Sequence, residues 1–158
     1  MYTAKQVDGF VGLQIRNGPY GAISSDKLSD GTIHFCCDKD MAPEQFLEVA
    51  EWVARNGTEI LNAALASLVD QYWEMRDDVI DCLIDEDPDD VVPEIDGPDD
   101  LRRLCGIVAV HVKPYGGCKA PRFGIEFGCT WEDEHGAGVR FEALKVLQSG
   151  HASDAFDY

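Results

Sequence analysis

The chain has 158 residues, 45% of them hydrophobic and 27% charged, the ordinary balance of one soluble globular domain. Its charge is less ordinary: 30 Asp and Glu against 13 Lys and Arg leave −17 at neutral pH. That speaks against nucleic acid or an anionic membrane as a partner, because both are met through basic patches, and points to a basic protein surface, with simple solubility as the competing account.

The opening MYTAKQVDGF has no basic flank followed by an apolar core, and no apolar run reaches the length of a bilayer span, so a cytoplasmic protein is expected. Six cysteines, Cys36, Cys37, Cys82, Cys105, Cys118 and Cys129, lack any C-x-x-C pair. They read as reduced and mostly buried thiols, with no zinc spacing and no cofactor implied. No phosphate-binding loop or nucleophile elbow is present either.

In chain order, residues 9–16 (GFVGLQIR) and 31–37 (GTIHFCC) read as short strands joined through turn signals at Asn17-Gly18-Pro19 and Asp30-Gly31, an N-terminal antiparallel pair. Adjacent Cys36 and Cys37 would then point to opposite faces. Residues 43–84 read as two helices. Pro43 suits a first turn, and Phe46, Val49, Ala50, Val53 and Ala54 recur at helical spacing up to Asn56-Gly57. Thr58 is placed to cap a second helix, whose stripe is Ile60, Leu61, Ala64, Leu65, Leu68, Val69 and Tyr72, running on through Met75, Val79 and Leu83.

Residues 85–100 (DEDPDDVVPEIDGPDD) must interrupt the helix, since Pro88, Pro93 and Pro98 remove backbone donors and the like charges repel, leaving an exposed loop. Asp99 and Asp100 suit the first turn of a short helix from Leu101 to Cys105, with Gly106 as terminator. Residues 107–147 read as β. In RFGIEFGCTW, Phe123, Ile125, Phe127, Cys129 and Trp131 share one face and Gly124, Glu126, Gly128 and Thr130 the other; a third strand returns over 138–147. The expected fold is α+β, an antiparallel sheet packed on a two-helix hairpin with a C-terminal β-meander.

The densest chemistry lies in CTWEDEHGAGV, Cys129 to Val139. The stretch FGIEFGCTWEDEHGAGVRF resembles the hallmark of an uncharacterised bacterial domain family that carries Cys-Thr-Trp-Asp-Glu-Glu-His-Gly-Leu-Gly-Val near its C-terminus, here with Glu132 in place of Asp and Ala137 in place of Leu. The resemblance extends to Pro43-Glu44-Gln45 before the helices, to Asn56, Tyr72 and Pro93, and to Gly150, Ala152, Asp154, Ala155 and Phe156, thus over most of residues 9–156. Related genes occur beside polymorphic-toxin systems, so the resemblance implies an immunity protein that neutralises a cognate toxin.

On that reading Asp85, Glu86, Asp87, Asp89 and Asp90 steer a basic toxin surface, and Val91 and Val92 anchor it. Cys129, Thr130, Trp131, Glu132, Asp133, Glu134, His135, Gly136 and Gly138 have two accounts. Glu132, Asp133, Glu134 and His135 offer donors to a cation, or His135 a general base, the chemistry of a small metal-dependent enzyme that would draw a further ligand from His34, His111 or His151. Alternatively, the glycines make a sharp turn, the polar groups bond loop amides and Trp131 anchors the turn in the core. Cys129 suits a core position better than a nucleophile's, and His111 a structural or surface role better than ligation. Asp85, Asp87, Asp89 and Asp96 also fall in calcium-loop register, but Asp90 stands where Gly is needed, Pro93 occupies the ninth position and the closing Glu is missing.

Overall fold

The computed structural model describes residues 5–6, 32–115 and 119–157. The expected strand over 9–16 lies outside them. Strand β1 (Lys5–Gln6) pairs antiparallel with β2 (Thr32–Ile33), and after His34 the chain re-enters a strand as β3 (Phe35–Cys37). The main sheet has the order β3-β4-β5-β6-β7, with β4 at Cys105–Lys113, β5 at Arg122–Cys129, β6 at Ala137–Glu142 and β7 at Lys145–His151.

This sheet is mixed rather than antiparallel. β3 runs parallel to β4, with Phe35 beside Val110 and Cys37 beside Val112, whereas the other neighbours are antiparallel. A parallel neighbour needs a crossover, and the helices supply it between β3 and β4. The expected strand over 138–147 is two strands, β6 and β7, joined at Ala143 and Leu144, where Ala143 adopts φ of 48°.

Helix α1 (Pro43–Arg55) and helix α2 (Gly57–Cys82) meet at Asn56, whose side-chain amide donates to the Trp52 carbonyl at 2.8 Å. Thr58 therefore lies inside α2 rather than at its cap. Phe46, Val49, Ala50 and Val53 of α1, and Ile60, Leu61, Ala64, Leu65, Leu68 and Tyr72 of α2, are buried. They form the core with Val110, Val112, Phe123, Ile125, Phe127, Val139 and Phe141 of the sheet. Helical and strand periodicities thus turn their apolar sides to one another.

The opposite face of the sheet is covered as well. A 3-10 turn at Ala152–Ala155 lies on it, so close that a Cβ on Gly124 would stand 1.7 Å from the Ala155 carbonyl oxygen, and one on Gly138 2.5 Å from that of His151. Gly138 is thus a strand residue that admits neighbouring backbone, while Gly136, at φ of 64°, makes the turn. Pro98–Arg103 forms a second 3-10 turn and strand pairing starts at Cys105, so the expected helix from Leu101 to Cys105 is shifted and Gly106 lies in β4. Among the described residues no helix is long and apolar enough to cross a membrane.

Candidate functional site

Residues 83–97 are exposed in part but held firmly. The Tyr72 hydroxyl donates to the Pro93 carbonyl, and Arg76 Nε donates to the Val92 carbonyl at 2.9 Å. Val92, Pro93 and Ile95 are buried. Val92 therefore fastens the segment to the core and cannot reach a partner, contrary to its expected anchoring role. Pro88–Val91 forms one helical turn, α3, whose start is capped by the Asp87 carboxylate accepting from the Asp89 amide at 3.0 Å. Asp85, Glu86, Asp87, Asp89 and Asp90 are all exposed.

The second expected segment, Cys129 to Gly138, ends β5 at Cys129, folds as a closed turn over residues 130–136 and enters β6 at Ala137. The Gly136 amide donates to the Glu132 carbonyl at 2.9 Å, and the Glu132 carboxylate accepts from the His135 amide at 3.3 Å while contacting its ring nitrogen Nδ1 at 3.2 Å. Trp131 is fully buried; its ring meets Tyr72 edge-on at 5.4 Å, and its indole N–H donates to Gln71 at 3.4 Å. Cys129 is buried, its thiol donating to the Glu132 carbonyl at 3.6 Å. Asp133, Glu134 and His135 remain at the surface.

These two segments, 46 residues apart from Asp85 to Trp131 in the chain, wall a single groove of about 630 Å³. Its floor is apolar, from Met75, Val79, Leu83 and Val91, with Ile84 standing 91% exposed at its edge. Its rim is acidic, from Asp78, Asp85 and Glu86 on one side and Asp133 and Glu134 on the other. Tyr72 builds both walls: its ring supports Trp131 and its hydroxyl holds Pro93. Asp87, Asp89 and Asp90 lie outside the groove lining.

The sequence does not mark Ile84 or Asp78, and it places Met75 and Val79 only on the apolar stripe of the second helix, not in a groove. The available signal was the end of the helical stripe at Leu83: Ile84 is a large apolar residue just beyond the helix end, followed directly by Asp85 and Glu86.

Of the three histidines considered as further ligands, only His151 approaches the motif, with Nδ1 4.0 Å from Glu132 and its ring 5.9 Å from that of His135. His34 is exposed between β2 and β3, and His111 is engaged elsewhere on the sheet. Among the described residues, no group of three His, Cys, Asp or Glu side chains is arranged to hold a metal ion.

Residues 19–156 match a family described as a domain of unknown function, DUF6985. The chain belongs to that family. No curated protein and no solved structure matches it. The DUF6985 match spans both groove walls, α2 and the entire main sheet, so the whole site lies within the shared domain.

Proposed function

We propose that this DUF6985 protein is an immunity-type binding protein, which neutralises a cognate bacterial toxin by receiving a basic, apolar-tipped element of it in the groove between Ile84 and Glu134. The observation that carries the reading is the pairing of an exposed apolar edge with a carboxylate rim on a chain of net charge −17. Apolar side chains at the centre supply the buried contact of a hot spot, and charges around them exclude wrong partners and accelerate encounter. The resemblance of the Cys129–Val139 stretch to the hallmark of a family whose related genes occur beside polymorphic-toxin systems supports the same reading. Occupying a catalytic or substrate surface of the toxin would be enough for neutralisation.

The test takes the toxin candidate captured with this chain as bait, purifies it, and measures its toxic activity with and without the chain. Stoichiometric suppression is expected. Ile84→Ala should weaken the complex by about 10- to 100-fold, mostly through faster dissociation. Combined Asp85→Asn, Glu86→Gln, Asp133→Asn and Glu134→Gln should slow association and flatten its salt dependence. A complex indifferent to both sets of changes would remove the groove from the interface, and a captured partner whose activity is unaffected would remove the immunity reading. The alternative, a small metal-dependent enzyme using Glu132 and His135, predicts instead a stoichiometric metal in the purified chain, lost in His135→Ala.

A further inference from the structure

Three neighbouring strands place a different chemistry on the sheet face away from the helices. Cys36 of β3 lies beside His111 of β4 in register, and Glu126 of β5 reaches the same ring from the other side. Cys36 Sγ is 3.1 Å from His111 Nδ1, and His111 Nε2 is 2.8 Å from Glu126 Oε2. Because the thiol and the carboxylate address opposite nitrogens of one ring, they cannot chelate a common ion. They form a relay. The sulfur is half-buried at a cleft of about 340 Å³ that Asp38, Lys113 and Phe156 also line, and the Phe156 ring lies 5.0 Å from that of His111.

The contrast with the chain's core thiols is informative. Cys105 and Cys129 are buried and spend their protons on the carbonyls of Leu101 and Glu132, at 3.1 Å and 3.6 Å. Cys36 has such a carbonyl too, that of Val110, but at 3.7 Å it is farther than the imidazole. A nucleophilic thiol needs a ring nitrogen against the sulfur to hold its proton and an acid against the other nitrogen to fix the ring and its charge. Both are in place.

We propose that Cys36, His111 and Glu126 form a nucleophilic thiol site that accepts the acyl group of a small thioester or activated ester. With the ring carrying the proton given up by the sulfur, Cys36 Sγ adds to the acyl carbon. The carbonyl re-forms as the C–S or C–O bond to the leaving group breaks, and the leaving thiolate or alkoxide takes the proton from His111. Water then adds to the acyl carbon, passing one proton to the ring, and the C–S bond breaks with its electron pair returning to Cys36 Sγ, so the products are the carboxylic acid and the restored thiol–imidazole pair. Cys36 and His111 are the catalytic residues and Glu126 a positioning residue. Burial disfavours the charged ring, but the hydrogen bonds and charges of Cys36 and Glu126 outweigh it and raise the His111 pKa to about 9, so the ring is suited to hold that proton. The site shares no lining residue with the partner groove and stands independently of it.

The probe is p-nitrophenyl acetate, followed by p-nitrophenolate release and by peptide mapping. One rapid equivalent of p-nitrophenolate and one acetyl group on the Cys36 peptide are expected. The burst should vanish in Cys36→Ser and slow by at least about tenfold in Glu126→Gln, with its pH profile displaced. Acetylation elsewhere, or a burst that survives in Cys36→Ser, overturns the proposal. Iodoacetamide mapping of the unaltered chain provides a second reading that no folding defect can obscure. At about pH 6 an unassisted thiol is ionised to below roughly 1%, so Cys36 should outpace exposed Cys82 there by at least about tenfold. Parallel pH profiles of the two thiols overturn the proposal as well.

Discussion

Gly124 illustrates how a single missing atom fixes the far face of the sheet. A Cβ there would collide with backbone of the Ala152–Ala155 turn, which no rotamer change can relieve. Gly124→Ala should therefore release the C-terminal segment, lower stability by about 2–4 kcal/mol, and open residues 150–157 to proteolysis ahead of the helices. Retention of both the melting temperature and the protease resistance would contradict this packing. The residue scale also carries a pH effect at His111, whose side chain is 20% exposed. Its pKa rises from 6.5 to about 9 on folding, against the effect of burial and through Cys36 and Glu126. A raised pKa means that the folded state holds the proton more tightly. The resulting stability is complete below about pH 6.5 and is lost as pH rises through about 9. The predicted loss is roughly 1–3 kcal/mol across that interval. Asp38 and Lys113 face the same cleft and pair with each other at 3.6 Å. Urea midpoints measured from pH 6 to about 9.5 should fall in the unaltered chain, fall less steeply in Glu126→Gln, and lie nearly flat only when Cys36→Ala is added; equal slopes would assign the effect to another group.

At the scale of elements, α2 organises the groove through Tyr72. Burial pushes the Tyr72 phenol up to about 12, so it stays a neutral donor to the Pro93 carbonyl at every working pH. Tyr72→Phe retains the edge contact with Trp131 yet strands that buried carbonyl. A loss of about 1–3 kcal/mol is expected, together with faster amide exchange in residues 84–95. Exchange that accelerates uniformly over the chain would mean that the strap is not local. The same elements show what the sequence could reveal. The stripes Phe46–Val53 and Ile60–Tyr72, and the alternation from Phe123 to Trp131, are legible because one period governs which side of each element is buried. The parallel pairing of β3 with β4 is not, because it joins residues about 75 positions apart and leaves no local signal. The turn between β6 and β7 is hidden for another reason: Ala143 takes a positive φ where a glycine or asparagine would have announced it. Likewise, Gly106, Gly124 and Gly138 carry the same letter as turn glycines but sit in strands, two of them for close backbone approach. The groove was half legible: its acids and its motif were each visible, but only the fold sets them side by side.

For the molecule as a whole, the charge of −17 affects folding and association with opposite signs. Within the folded chain the carboxylates of residues 77–100 repel one another more than in an extended chain, because folding brings them closer together and near Asp133 and Glu134. Salt shortens the reach of that repulsion, from about 30 Å at 0.01 M to about 3 Å at 1 M. Stability toward urea should therefore rise with sodium chloride, most steeply below about 0.15 M. Under the proposed function, encounter with a basic partner surface would depend on the same field acting outward, and its rate should fall over the same range by about tenfold or more while dissociation changes little. Measuring both on one preparation separates the competing accounts of the acidity. Acids that serve solubility alone would give the rise in stability without salt-sensitive association. Acids that serve a partner give both, and replacing Asp85, Glu86, Asp133 and Glu134 should diminish the association effect far more than an equal number of substitutions remote from the groove, such as at Glu44, Glu48, Glu51 and Glu59. If the two sets of substitutions reduce it equally, the field is a property of the whole surface and the groove has no privileged part in steering.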